Sequence, residues 1–277
     1  MTTMKPVKAV HTWSLFRTMG RFVAPGSMPM GGLPERQHPE EGGLPLLELP
    51  AALAEHGYRS AQLCHFYLPT VEPGYLAELR DAFDRAGVQL ECFLIDEGDL
   101  AHPDPAVSAA QQDWIAGWLD VAAALGAPRA RVVAGKQPPS PGALDTSARG
   151  LSRLAERHTD VRIVTENWHA LLPDAASVLG LLDRTEGRIG FLVDLGNWSG
   201  PTKYAELAAV AGRAETCQAK CRTEADDRLD LADYRSSLEV LRDAGYDGPL
   251  ALVYDGPDSD EWANLEAEYA LVDQVFG

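Results

Sequence analysis

No apolar run in these 277 residues approaches the roughly 20 residues that a membrane-crossing helix needs. The opening MTTMKPVKAV also lacks the apolar centre of a secretory leader. A cytoplasmic protein with no membrane partner is the expectation. Cysteine is scarce: Cys64, Cys92, Cys217 and Cys221 are the four present, and none forms a CxxC pair. The Cys217–Cys221 spacing alone makes no metal site, so reduced and mostly buried thiols are expected. Basic residues are few as well, 24 against 41 acids, for a formal net charge of −17. Such a surface repels phosphate backbones and anionic lipid heads, which argues against nucleic acid as a partner. A local basic pocket can still hold a small anion. Missing too is the Gly-rich phosphate loop of dinucleotide-binding sheets, since the stretch after Val10 reads HTWSLFRTMG.

What is present is an alternation. Short β-branched or apolar runs fall at Val7–His11, Ser60–Phe66, Val88–Ile95, Ala130–Ala134, Val161–Glu166, Gly190–Asp194, Thr216–Lys220 and Leu250–Tyr254. Between them lie stretches with apolar residues at i, i+3 and i+4, clearest in Pro73–Ala86, Pro105–Leu125 and Leu231–Ala244. Pro50, Pro73, Pro105, Pro141 and Pro173 sit where first-turn prolines belong, and Gly87, Gly126 and Gly245 where helices end. Alternating βα units at this length predict one α/β domain spanning 1–277, a closed (β/α)8 TIM barrel. The segment 17–45, rich in Gly, Pro and Met, is too long for an ordinary connection and reads as a lid or a dimer contact after the first strand, or else as a flexible insertion.

In such a barrel the polar residues at the C-terminal ends of the strands face the active site. The strand ends here carry His11, His65, Asp96, Lys136, Glu166, Asp194, Gln218, Lys220 and Asp255. Glu166 and Asp194 each close an apolar run on neighbouring strands. A buried charge there must be paired or metal-bound. Two such carboxylates can share a hard divalent cation, or pair with Lys220 or Lys136. Trp13, Trp168 and Trp198 lie just past strand ends, where aromatic walls suit sugar rings. Lys136 can neutralise a substrate anion, His11 and His169 can contact substrate, and Asp96 and Asp99 can bind hydroxyls or order their loop.

The segments VTENWH, FLVDLGNW, CQAKC and GYDGPLALVYDGP resemble those of the xylose-isomerase-like barrels, clearest from Val161 onward. That superfamily contains sugar isomerases and epimerases, hydroxypyruvate isomerase, several dehydratases and endonuclease IV. The resemblance implies a divalent ion (Mn, Mg, Co or Zn) held by Glu, Asp, His and Glu on strands five to eight. Carried over, Glu166 and Asp194 match the first two ligands. Gln218 stands where the His belongs and can still ligate through its carbonyl, giving a set of Glu166, Asp194 and Gln218. Val253 stands where the second Glu belongs and can neither ligate nor carry a proton.

The resemblance therefore implies an enzyme of the isomerase/epimerase type acting on a small polyhydroxylated carbonyl compound through an enolate, with metal assistance. Glu166, His65 and Lys220 are the expected proton-transfer groups, and His11, Trp13, Lys136, His169, Asn197 and Asp255 the expected substrate contacts. Losing one of the paired glutamates leaves two alternatives open: a lyase of the same superfamily, or a metal-free binding module. The family's barrels also allow a homo-oligomer.

Overall fold

The structure is a computed structural model, and it describes residues 6–20, 43–225 and 227–277. Most of the 17–45 segment, read above as a lid or dimer contact, lies outside the described residues. The strands are β1 (Lys8–His11), β2 (Ser60–Cys64), β3 (Gln89–Ile95), β4 (Arg129–Val132), β5 (Arg162–Glu166), β6 (Gly190–Asp194), β7 (Ala214–Lys220) and β8 (Leu250–Val253). All pair in parallel in chain order, and Lys8, Ala9 and Val10 lie beside Leu250, Ala251 and Leu252 to close the barrel. The alternation thus becomes a (β/α)8 barrel, as expected.

The helices form the outer ring: α1 (Leu49–Glu55), α2 (Pro73–Ala86), α3 (Pro105–Ala124), α4 (Pro141–Arg157), α5 (Ala175–Arg184), α6 (Lys203–Ala211), α7 (Leu231–Asp243) and α8 (Glu261–Phe276). Each buries one stripe. On α2 the buried residues are Leu76, Leu79, Ala82 and Phe83, the i, i+3, i+6, i+7 spacing of one helix face. Truncating a residue such as Leu79 would cost about 2–5 kcal/mol. Four of the five prolines occupy the first turn of a helix; Pro173 instead precedes the Asp174 cap of α5. The side chains of Asp104, Ser140, Asp174, Asp230 and Asp260 accept backbone N–H bonds that open α3, α4, α5, α7 and α8. Gly126 and Gly245 follow their helices with φ of 74° and 75°, the left-handed backbone that stops a helix.

Two details set the shape of the site. Ser14, in a short 3-10 turn after β1, donates to Leu252 O (3.3 Å) and accepts from Tyr254 N (2.9 Å), tying the end of β1 to β8. Thr12 Oγ1 accepts from Cys64 N at 3.0 Å and ties the same turn to β2. Beneath the cavity the barrel is filled by polar side chains. Gln62 donates to Glu91 Oε2 (3.0 Å) and Thr216 Oγ1 (3.2 Å), and accepts from Gln218 Nε2 (3.0 Å). Cys64, Cys92, Cys217 and Cys221 are all free and buried. Among the described residues no helix is long and apolar enough to cross a membrane.

Candidate active site

A cavity of about 300 Å³ opens at the C-terminal ends of the strands. His11 reaches it from β1, Arg131 from β4, Glu166 from β5, Asp194 from β6, Gln218 and Lys220 from β7, and Val253 from β8. Period-2 alternation explains the set: Gln218 and Lys220 are two apart on one strand and so share its inner face. Beyond the strand ends the loops add Trp13, Asp96, Lys136, Trp168, His169, Asn197 and Asp255.

Glu166 is 4% exposed. Its Oε1 accepts from Asn197 Nδ2 at 2.6 Å, and its Oε2 faces Arg131 Nε at 3.1 Å without hydrogen-bond alignment. Burial raises its pKa. Arg131 offsets this in part, Asp194 adds to it, and the carboxyl is pushed up to about 7. Asp194 Oδ1 accepts from Gly196 N (2.6 Å) and Asn197 N (2.8 Å). Burial raises this group too, against the pull of Lys220 and those two N–H donors. Glycine is required at 196, because a Cβ there would sit 2.7 Å from the Lys220 stem.

The cations are placed with equal care. Arg131, 2% exposed, binds Asp96 Oδ1 at 2.6 Å and Ile95 O at 3.2 Å, and its guanidinium lies 5.0 Å from the Trp168 ring centre. Burial alone would weaken its charge, but Asp96 and Glu166 outweigh that and hold it protonated. Burial likewise disfavours the Asp96 carboxylate, yet Arg131 and the His65 hydrogen bond keep it well below the usual range. Lys220 pairs with Asp255 at 2.6 Å. Burial works against its charge, while Asp194 and Asp255 push its pKa above the ordinary value. Lys136 pairs with Glu97 at 2.6 Å at the rim.

Of the residues expected from the sequence, His65 is not brought to the cavity lining. It packs against Phe66, Trp114 and Trp118, and its Nδ1 lies 3.4 Å from Asp96 Oδ2. Trp198 likewise turns away, donating to Leu172 O at 3.1 Å. Asp99 orders its loop by accepting from Ala101 N, Lys136 N and Gln137 Nε2. His11 and His169 do line the cavity; burial lowers their pKa to about 3 and about 4, so both are neutral. His169 adopts φ of 59°, a left-handed backbone uncommon outside glycine though more often seen for His than for most residues, with its ring centre 3.9 Å from that of Trp168 and Nε2 unpartnered. The sequence reading missed Arg131. The signal was in RARV, where arginines two apart on a barrel strand share the inner face.

The expected ligand set, Glu166, Asp194 and Gln218, converges on the cavity but does not fit a divalent ion. Glu166 Oε2 is faced by a guanidinium, and Asp194 sits in the field of Lys220. The Gln218 amide is tied to Gln62, and Val253 places methyl groups at the fourth position. Among the described residues no three His, Cys, Asp or Glu side chains cluster as a metal site.

Comparison with known proteins agrees with this architecture. The first relative, a Streptomyces coelicolor protein provisionally named hydroxypyruvate isomerase, is 29% identical over 81% of this chain and 91% of its own. A solved L-ribulose 3-epimerase superimposes with a TM-score of 0.70 at 15% identity, covering 99% of this chain and 95% of that one. A D-allulose 3-epimerase from Methylomonas sp., in complex with D-allulose, gives 0.68 at 16%, over 100% and 99%. A Mycobacterium smegmatis barrel in complex with magnesium gives 0.65 at 14%, over 99% and 98%. Residues 50–271 match the sequence pattern of one family, and this chain belongs to it: the xylose isomerase-like TIM barrels.

Proposed function

We propose that this chain is an isomerase of small, polyhydroxylated carbonyl compounds, working through an enolate. The observation that carries this reading is Glu166: a buried cavity carboxyl whose pKa is pushed up to about 7. A base poised there is ionised often enough to act and basic enough to remove a proton next to a carbonyl. The names of the S. coelicolor relative and of the sugar 3-epimerases point the same way.

In this reading the Glu166 carboxylate takes the proton from the carbon beside the carbonyl. The C–H electron pair forms a C=C bond, and the carbonyl oxygen becomes an enolate oxygen. Arg131 and Lys220 face that negative charge. Glu166, now protonated, returns the proton to the former carbonyl carbon. Lys220, kept protonated by Asp194 and Asp255, gives a proton to one substrate oxygen and takes one from the other. His65 acts at one remove, by fastening Asp96 against Arg131. Asn197 sets the direction of Glu166, and Trp13, His11, His169 and Lys136 surround the rest of the substrate.

The choice of isomerisation over epimerisation rests on Val253. Epimerisation by paired carboxylates needs a second base on the opposite face of the carbon, and β8 offers none. A single base returns the proton to the face it came from, which suits transfer between adjacent carbons.

The test is turnover in D2O of a panel of neutral ketoses, aldoses and hydroxy-oxo acids, followed by NMR and mass spectrometry. An isomer is expected whose transferred hydrogen is part protium carried across by Glu166 and part deuterium exchanged onto that carboxyl from solvent, with a loss of about 10²–10⁴-fold in Glu166→Gln. A product lighter by one water would replace this reading with the lyase one. Binding without turnover across the panel would leave a binding module.

A further inference from the structure

We propose that Arg131, seconded by Lys220, supplies the positive charge for which this fold offers a metal position, so that the site works without a divalent cation. The catalytic half of this inference rests on the enolate reading above; the metal half stands on geometry alone.

Four contacts fix the guanidinium: Asp96, Glu166, the Ile95 carbonyl and the Trp168 ring. A buried arginine is costly unless its partners are in place, and removing one partner leaves an uncompensated charge. This network is therefore built around Arg131. Its Nε stands 3.1 Å from Glu166 Oε2, the carboxylate oxygen that Asn197 leaves unclaimed. A divalent ion on that oxygen would meet the guanidinium at close range, and like charges in a poorly screened cavity repel strongly. Lys220, on the neighbouring strand, lines the same cavity as Asp194 and brings a second cation to it. The residues at the other two ligand positions agree. The Gln218 amide is committed to Gln62 beneath it, and Val253 donates nothing.

The opposing argument is charge. The cavity holds Asp96, Glu97, Glu166, Asp194 and Asp255 against Arg131, Lys136 and Lys220, a surplus that would attract a dication. Two features reduce that surplus. Arg131 lies between Asp96 and Glu166, within 2.6 and 3.1 Å of their oxygens, and serves both. Asp194 is solvated by two backbone N–H groups. The protein has thus already supplied what a metal would bring, and a guanidinium beside the developing oxyanion can do a Lewis acid's electrostatic work.

The experiment uses the full chain, stripped with EDTA and dialysed against Mn²⁺, Mg²⁺, Co²⁺ or Zn²⁺. Metal content is read by plasma mass spectrometry and thermal midpoint by calorimetry. Wild type is expected to hold far less than stoichiometric metal and to show no shift in midpoint. Arg131→Met, which frees Glu166 and Asp96 of their cation, should take up metal and be stabilised by it. Should that variant fail to fold, Arg131→Lys keeps the charge and is expected to stay metal-free. Stoichiometric metal in wild type, lost in Asp194→Ala, would overturn the proposal. With an active substrate in hand, stripped wild type should keep its rate. Arg131→Met should then lose about 10²–10³-fold in kcat, and Arg131→Lys less. A rate restored only by metal would overturn this inference and leave the isomerase reading standing. If no substrate turns over, the metal-binding measurements still decide the inference.

Discussion

Asn197 donates its side-chain amide to Glu166 at 2.6 Å while its backbone N–H donates to Asp194 at 2.8 Å. One residue in the loop after β6 therefore positions both carboxylates, and the base of the proposed reaction points where Asn197 holds it. Hydrogen bonds to charged groups contribute about 1.5–3 kcal/mol. Asn197→Ala should lower kcat roughly 10–100-fold, with a smaller change in KM. Donation to a carboxylate also favours its charged form, so the acid limb of the pH profile should move upward in the variant. An unchanged limb with unchanged kcat would show that Asn197 only braces its loop.

The second prediction follows from Glu166 itself. With its pKa near 7, kcat/KM should rise from pH 6 to 8 as the carboxyl loses its proton. Stability should move the other way. A group whose folded pKa is raised contributes stability that is full below the unfolded value of 4.5 and lost as pH rises through about 7. Glu166→Gln should flatten that part of the fall in thermal midpoint between pH 4.5 and 7 as well as cost the same factor of about 10²–10⁴ in turnover. A variant whose midpoint tracks wild type across that window would place the titration on another group.

The barrel was legible because each strand reads as a short apolar run before a polar end, and because proline and glycine mark the helix ends. Glu166, Asp194 and Lys220 were placed at the cavity by the same logic, since a charge that ends an apolar run has nowhere to go but the mouth of the barrel, whereas Gln218 was singled out by the family resemblance. Arg131 was not found, because the run was placed at Ala130–Ala134 rather than Arg129–Val132. Shifting the frame to include Arg129 exposes the alternation that puts both arginines inside. His65 misled for the opposite reason. It follows β2 immediately, but the chain turns there into a 3-10 segment that carries the ring behind Asp96, between Trp114 and Trp118. A strand-end position names a direction only while the strand continues.

Substrate charge gives the third prediction. Lys136, Lys220 and Arg131 are each already paired with a carboxylate, so none is free to hold a phosphate without losing a partner. Uncharged sugars should therefore have a lower KM than their phosphate esters, by tenfold or more at about 1.4 kcal/mol per decade. The gap should narrow as salt rises, because exposed charges are screened. A phosphate ester preferred over its parent sugar would mean that Lys136 leaves Glu97 to bind it.

The fourth prediction separates stability from function at His169. Its φ of 59° is a conformation that costs an ordinary side chain of order 1–3 kcal/mol, and strain of this kind persists where the surroundings demand it. Here they do: the ring lies on Trp168 and presents an unpartnered Nε2 in a partly buried position. Asparagine tolerates the left-handed backbone better than most residues but cannot reproduce the ring. His169→Asn should keep its thermal midpoint within a few degrees of wild type, a change of about 1 kcal/mol or less, while KM for the substrate rises severalfold. If the midpoint collapses and the surviving folded protein binds normally, His169 is a brace for Trp168. If stability holds and affinity falls, the strain is kept for the ligand.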